Sequence, residues 1–248
     1  MKVPGPPRIS VFRDEDAMAQ ALTTRIAAAI AANPAIVLGL ATGRTPIRFY
    51  HQFASLVEQG RVDLSQASTF NLDEFLALPC DHPGSFRSFM DTHLFGRVNL
   101  AAERIHFLDG TARDTEQECE RYEREIVAAG GIDIQILGVG TNGHIGFNEP
   151  APALEPRAHR VTLAQETREA NAGLFGNDPS RVPTEALSMG MATILHARSI
   201  VLLASGASKS VVIERAVRGP ITPELPVSFL QLHHDVEIMV DEAAASRL

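Results

Sequence analysis

The chain has 248 residues, 45% of them hydrophobic and 21% charged, which is ordinary globular usage and excludes a disordered or low-complexity protein. Its net charge of −8 argues against a nucleic-acid partner, so an anionic ligand would need a local set of cations or backbone N–H donors. Cys80 and Cys119 form no CxxC pair, and no stretch reaches the roughly 20 apolar residues of a membrane span; with no signal-peptide core in MKVPGPPRIS, a cytoplasmic protein with two free thiols and no membrane partner is expected.

Ile9 to Phe12 reads as an edge strand. Asp14 then fits the N-cap of a helix running to about Ala32, with Ala21, Ile26, Ala29 and Ile30 on its apolar face and Asn33-Pro34 as its stop. The apolar strand Ile36 to Leu40 leads into Thr42, Gly43, Arg44 and Thr45. Thr45 as N-cap and Pro46 at the first helical position predict a helix continuing through Tyr50 and Val57 to Gly60. A turn of hydroxyls, a glycine and free N–H groups at a helix start suits a phosphate, with Arg44 adding charge, although such turns are also common α/β punctuation.

Ala67 to Phe70 reads as a third strand, ending in Asp73 and Glu74. Alternation along an extended chain sends those two carboxylates in opposite directions, so at most one faces a crevice; two solvated loop acids remain an equally open reading. A helix from about Ser85 to Phe95, a strand from Ile105 to Leu108, and a helix from Thr115 to Ala129 capped by Asp114 follow. Cys119 falls on the core face of that last helix.

Gly130 and Gly131 stop it before Ile132 to Leu137, apolar at nearly every position, as in a strand covered on both faces of a parallel sheet. The loop that follows, Gly138 to Pro150, holds four glycines and the titratable pair His144 and Glu149. A histidine can pass protons at neutral pH while a carboxylate holds its second ring nitrogen. Alone, the pair fits equally well a loop histidine with no special task. Beyond Pro150 the chain turns polar and is punctuated by Pro152, Pro156, Pro179 and Pro183. Weak strand and helix signals predict a lid over about residues 151–188.

Ile200 to Ala204 is again an apolar strand. It runs into Ser205 to Lys209 and a helix carrying Val212, Ile213 and Val217, which gives a second anion-binding turn with a lysine in reach. Near the end His233 and His234 invite a metal reading, but neighbouring side chains on a strand diverge and no third ligand is evident, so no metal site is expected.

The alternation predicts a single α/β domain over 1–248, Rossmann-like, with one doubly wound and mainly parallel sheet and helices on both faces. Ligands of such sheets sit beyond the carboxyl ends of the strands. Four strand ends would there bring together the Thr42–Thr45 turn, Asp73, the His144–Glu149 loop and the Ser205–Lys209 turn. That set suits proton transfer on a phosphorylated small molecule.

In this order and spacing, LGLATGRTP, TFNLDEF, LGVGTNGHIGFNEP and ASGASK, with SFLQLH near the end, resemble the glucosamine-6-phosphate deaminase (isomerase) family over nearly the whole chain. The GHIGFNEP piece is highly specific, whereas the glycine turns alone are not. The resemblance implies that His144, helped by Glu149 and Asn142, opens the sugar ring, and that Asp73 moves the C2 proton to C1. Ammonia is then lost and fructose 6-phosphate remains. The substrate phosphate would rest on Thr42, Gly43, Arg44 and Thr45 with Lys209 as counter-charge, and no cofactor or metal is needed.

The chain departs from the family at three places. Many members have aspartate where Asn142 stands, and an amide can orient His144 but cannot stabilise its cation by charge. Some place a lid arginine on the phosphate where this chain aligns Gly173, a loss for which Arg44 would compensate. Allosteric hexameric members use basic and hydroxyl residues where this chain has Pro152, His159 and Val161, so a non-allosteric enzyme is expected, with a monomer favoured over a homo-oligomer. Galactosamine-6-phosphate deaminase is an open alternative. A 6-phosphogluconolactonase is disfavoured by the FNEP continuation. A sugar-phosphate sensor is disfavoured because an acidic helix, not a DNA-binding helix pair, is expected before the Ile36 strand.

Overall fold

The computed structural model describes residues 6–248. Along the chain run β1 (Arg8–Phe12), α1 (Glu15–Ala32), β2 (Val37–Leu40), α2 (Ile47–Glu58), β3 (Ser68–Asn71), β4 (Asp73–Phe75), α3 (Phe86–His93), β5 (Ile105–His106) and α4 (Thr115–Ala128). They are followed by β6 (Ile134–Leu137), β7 (His159–Thr162), α5 (Gln165–Asn171), β8 (Glu185–Ser188), α6 (Met191–Leu195), β9 (Ser199–Ala204), α7 (Ser210–Arg218) and β10 (Val236–Asp241). Short 3₁₀ turns link several of them.

Seven strands form a parallel sheet in the order β1-β10-β9-β6-β2-β3-β5. From β2 the chain builds outward through β3 to β5, then returns to the other side of β2 with β6 and builds outward through β9 and β10. The order therefore reverses between β2 and β6, and the crevice of a doubly wound sheet opens at such a reversal. Every residue of β2 and β6 is buried, as strands covered on both faces require. One face packs α1, α2 and α3 through Leu22, Ile26, Phe49, Phe53 and Met90. The other packs α4, α6 and α7 through Tyr122, Ile126, Ile194, Val212 and Ile213.

Local signals explain most element ends. Asp14 accepts from the Ala17 amide at 2.8 Å and Asp114 from the Gln117 amide at 3.0 Å, each satisfying an orphan donor of a helix N-terminus. Helix α4 ends where the Gly131 amide folds back onto the Ile126 carbonyl at 2.9 Å. The expected Thr45 cap is not made. Pro46 itself holds helical angles (φ −78°, ψ −8°) ahead of Ile47 and no side chain caps α2, so Thr45 stays in the turn.

A second sheet, not foreseen in the sequence, is antiparallel with the order β4-β8-β7. Its strands β7 and β8, together with α5, occupy the stretch read as a weakly structured lid. The chain leaves the large sheet at Leu72, whose amide still pairs with the Leu40 carbonyl while its own carbonyl accepts from the Met189 amide. Beyond that residue β4 runs antiparallel to β8, with Asp73 opposite Ser188. Phe75, Phe86, Phe147 and Phe175 close around the small sheet as a separate apolar cluster, each such ring contributing about 1.5–3 kcal/mol by burial.

The strand β10 was likewise not anticipated. His233, just before it, is buried with Nε2 2.7 Å from the Ala197 carbonyl, which makes it a structural residue. Among the described residues no cluster of three or more His, Cys, Asp or Glu side chains is arranged to hold a metal, and no helix is long and apolar enough to cross a membrane. Cys119 lies in the core and Cys80 is exposed, both as free thiols.

Candidate active site

The strand ends at the reversal carry the residues singled out in the sequence. After β2 comes the turn Thr42–Thr45, with Gly43 and Arg44 exposed and the two threonines half-buried. After β9 comes Lys209, in the turn before α7, whose ammonium donates to the Val139 carbonyl at 2.8 Å. Burial, and then the nearby charge of Arg44, holds Lys209 below the usual lysine value. Two cations from different strand ends thus lie near one another beside the start of the β6 loop. Like charges brought together in a protein of net charge −8 are an arrangement able to take an anion.

The β6 loop folds tightly on itself. The Gly140 amide donates to the His144 carbonyl and the Gly143 amide to the Gly140 carbonyl, both at 3.0 Å. A Cβ on Gly140 would sit 2.3 Å from the His144 ring, so only glycine lets the imidazole lie over the backbone there. The loop is clamped from outside by the Val227 amide on the Gly143 carbonyl at 2.9 Å, within the SFLQLH neighbourhood.

His144 Nδ1 lies 3.5 Å from Glu149 Oε2. Asn142 does not touch the imidazole. Its Oδ1 accepts from the His144 amide at 3.1 Å and its Nδ2 donates to Glu149 Oε2 at 2.9 Å, so it orients the histidine through the backbone and through the carboxylate. Burial alone would raise the Glu149 carboxyl, but hydrogen bonds from His144, Thr167 and Asn142 outweigh it and hold the group below its ordinary value.

Asp73 and Glu74 are both buried, not solvated, and alternation separates them as expected. Glu74 turns away to the start of α3, where it accepts from the amides of Phe75, Phe86 and Arg87, each at 2.9 Å. Burial still pushes its carboxyl up to about 7. Asp73 faces the β6 loop: its Oδ2 is 3.7 Å from where a Cβ on Gly146 would stand. Gly146 has φ +55° and keeps that space open for the carboxylate. Burial first, then the charge of Glu74, raises the Asp73 carboxyl well above the usual range. No described residue hydrogen-bonds the Asp73 carboxylate. It meets the loop at Gly146, two residues past His144.

Three further residues position this site, of which only Asn148 was marked in the sequence. Ser188 of β8 receives the Phe147 amide on Oγ at 3.0 Å, and Asn148 Nδ2 donates to the carbonyls of Ile145 and Met189 at 2.9 and 2.8 Å, tying the loop to the small sheet. Thr167 reaches Glu149 from α5. Asn148 lies within the GHIGFNEP piece and was legible there; Ser188 and Thr167 sit in weakly patterned stretches with no local signal.

The family described as glucosamine-6-phosphate isomerases/6-phosphogluconolactonase matches residues 14–239. The chain belongs to this family. A glucosamine-6-phosphate deaminase of Rhodopirellula baltica is 48% identical over 240 residues, which is 97% of this chain and 95% of that one. A solved structure of a monomeric glucosamine-6-phosphate deaminase superposes with a TM-score of 0.93 at 38% identity, over 97% of this chain and 100% of the other. A 6-phosphogluconolactonase of Trypanosoma cruzi shares the fold at a TM-score of 0.77 and 21% identity, covering 100% of this chain and 98% of that one.

Proposed function

We propose that this protein converts glucosamine 6-phosphate and water to fructose 6-phosphate and ammonia, without a cofactor or metal. The observation that carries this reading is Asp73: a buried carboxylate with a raised proton affinity and no protein hydrogen-bond partner among the described residues, facing the loop of His144 and Glu149. A carboxylate kept free in this way is suited to take a proton from carbon.

In this mechanism the phosphate lies on the Thr42–Thr45 turn between Arg44 and Lys209. His144, held by Glu149, takes the proton of the C1 hydroxyl and delivers it to the ring oxygen, so the C1–O5 bond breaks and an open-chain aldehyde forms. Asp73 then removes the C2 proton while the aldehyde oxygen takes a proton from the amino group, which gives an enolamine; Asp73 returns its proton to C1 and C2 is left as an imine. Water adds to C2, the C2–N bond breaks with loss of ammonia, and the ketone of fructose 6-phosphate remains. The steps before water addition need only proton transfers. At Gly173, where some relatives carry a phosphate-binding arginine, a Cβ would meet only Asn177 Oδ1, at 4.0 Å. The open space there and the exposed Arg44 in the turn after β2 fit a transfer of that role to Arg44.

Ammonia release with glucosamine 6-phosphate and with galactosamine 6-phosphate, together with hydrolysis of 6-phosphogluconolactone, separates this reading from its rivals. Turnover of the glucosamine compound well above the other two is expected. Preferential lactone hydrolysis would overturn the assignment. The enzyme is further expected to be a monomer with hyperbolic kinetics, as the monomeric deaminase of the same fold suggests; a sigmoidal curve abolished by N-acetylglucosamine 6-phosphate would contradict this.

A further inference from the structure

Thr167 lies in α5, above the β6 loop, and is only 1% exposed. Its hydroxyl nevertheless reaches both members of the histidine–carboxylate pair: Oγ1 is 2.5 Å from Glu149 Oε1 and 3.4 Å from His144 Nδ1. A threonine hydroxyl has one proton to give and two lone pairs with which to accept. The ionised carboxylate can only accept, so the proton goes to Glu149 and Thr167 presents a lone pair to Nδ1. Glu149 Oε2, 3.5 Å from Nδ1 on the other side, also presents lone pairs. Both side chains that reach Nδ1 are therefore acceptors, and Nδ1 must carry the ring hydrogen. The basic nitrogen is then Nε2.

The hydroxyl is held firmly where it is needed. Asn171 Nδ2 donates to the Thr167 carbonyl at 2.8 Å, Arg168 Nη2 donates to the Pro179 carbonyl at 3.0 Å, and Ala172, directly after α5, joins the phenylalanine cluster. A rigid helix thus fixes one carboxylate oxygen, while Asn142 fixes the other from the β6 loop.

We propose that Thr167 is a positioning residue for the proton-transfer site: its hydroxyl locks the Glu149 carboxylate and holds His144 in the Nδ1–H tautomer, coupling the small-sheet layer to the reactive imidazole. This deepens the reading of His144 as acid and base and rests on it, but the first test needs no substrate.

Long-range ¹H–¹⁵N spectra of the labelled full chain should show neutral His144 protonated on Nδ1. Finding it protonated on Nε2 in the unaltered protein would overturn the proposal with no variant made. Thr167→Val keeps the shape and removes the hydroxyl. It should give a mixture of tautomers and lower kcat roughly tenfold or more with a small change in KM, the usual worth of a hydrogen bond to a charged group. The pH profile of the Glu149 carboxyl, followed by ¹³C NMR, should move upward, because Glu149 loses a donor that lowers its proton affinity. Thr167→Ser should restore both the tautomer and the profile. A loss of kcat in Thr167→Val with tautomer and pH profile unchanged would mean a merely structural role, and failure of the serine variant to rescue would count equally against the proposal. A tautomer that responds as described in a protein with no deaminase activity would support the positioning role and overturn the reaction instead.

Discussion

The two sheets of this molecule contribute different kinds of group to one crevice. The seven-stranded parallel sheet supplies what strand ends supply cheaply: the turns after β2 and β9, two cations, and the glycine loop that carries His144. The three-stranded antiparallel sheet supplies a buried acid, Asp73, and the contacts from Ser188 and Met189 that hold the β6 loop against it. In the proposed mechanism phosphate binding belongs to the turns of the large sheet, whereas proton transfer needs both layers, His144 from one and Asp73 from the other. The contrast implies that variants in the phosphate turns act on KM and variants of Asp73 or of the His144 loop act on kcat.

The sharpest way to break that contrast is Asp73→Asn. The amide keeps the volume and cannot take a proton from carbon, so kcat should fall about 10³-fold, within the range of general-base loss, while KM changes little. In the unaltered enzyme the raised Asp73 carboxyl has to ionise before it can act. The acid limb of kcat should therefore lie at higher pH than a solvated aspartate would give, with activity rising as pH rises through it. A rise in KM as the main effect of Asp73→Asn would show that the small sheet binds and does not react.

Glu149→Gln and Asn142→Ala come next in size and divide the β6 loop itself. Glu149 is the one charge beside Nδ1, whereas Asn142 acts only through it and through the His144 amide. Steady-state turnover should fall about 100-fold for Glu149→Gln and about tenfold or less for Asn142→Ala, since losing the amide leaves the carboxylate its charge and its contacts with Thr167 and Nδ1. Comparable losses would mean that the amide holds the imidazole as effectively as the carboxylate.

On the large-sheet side, Arg44→Ala should raise KM about tenfold and leave kcat nearly unchanged, the worth of one charge-assisted contact to phosphate. Removing the guanidinium also relieves Lys209 of a like charge that holds its proton affinity down, which favours the charged lysine. An unaltered KM would show that the turn binds phosphate through its amides and Lys209 alone.

The same division decided what could be read from sequence. Strands β2, β6 and β9 are apolar at nearly every position and bounded by glycine or polar turns, because helices cover both faces of their sheet. From such runs the doubly wound fold, and the groups at the crevice rim, were legible. The small sheet was not: β4 has three residues and β7 and β8 four each, too few for alternation to stand out from an irregular stretch rich in proline. Asp73 was identifiable by its place after β3, but its burial was not, because the layer that covers it comes from residues more than 70 positions further on. Thr167 and Ser188 were invisible for the same reason. A hydroxyl on a seven-residue helix or a four-residue strand has no periodic partner that marks it as inward-facing.

The last test concerns the joint between the layers and is read in stability, not in turnover. Glu74 leaves the sheet opposite to Asp73 and anchors α3 with three amide hydrogen bonds, yet burial raises its carboxyl from 4.5 to about 7. Between those two values the unfolded chain releases a proton that the folded protein keeps, so stability is full below about pH 4.5 and falls as pH rises toward about 7. The loss should be on the order of 3 kcal/mol from this group, and Asp73, shifted in the same direction, adds to it. Urea unfolding followed from pH 4.5 to 7.5 reads the slope directly. Glu74→Gln should flatten it and lower stability at the acid end, where the new amide group would face the Arg87 amide donor to donor. Stability that instead rises across this interval would mean that the three amides and the α3 dipole outweigh burial, and that a carboxylate charge, not a retained proton, holds α3 to the small sheet.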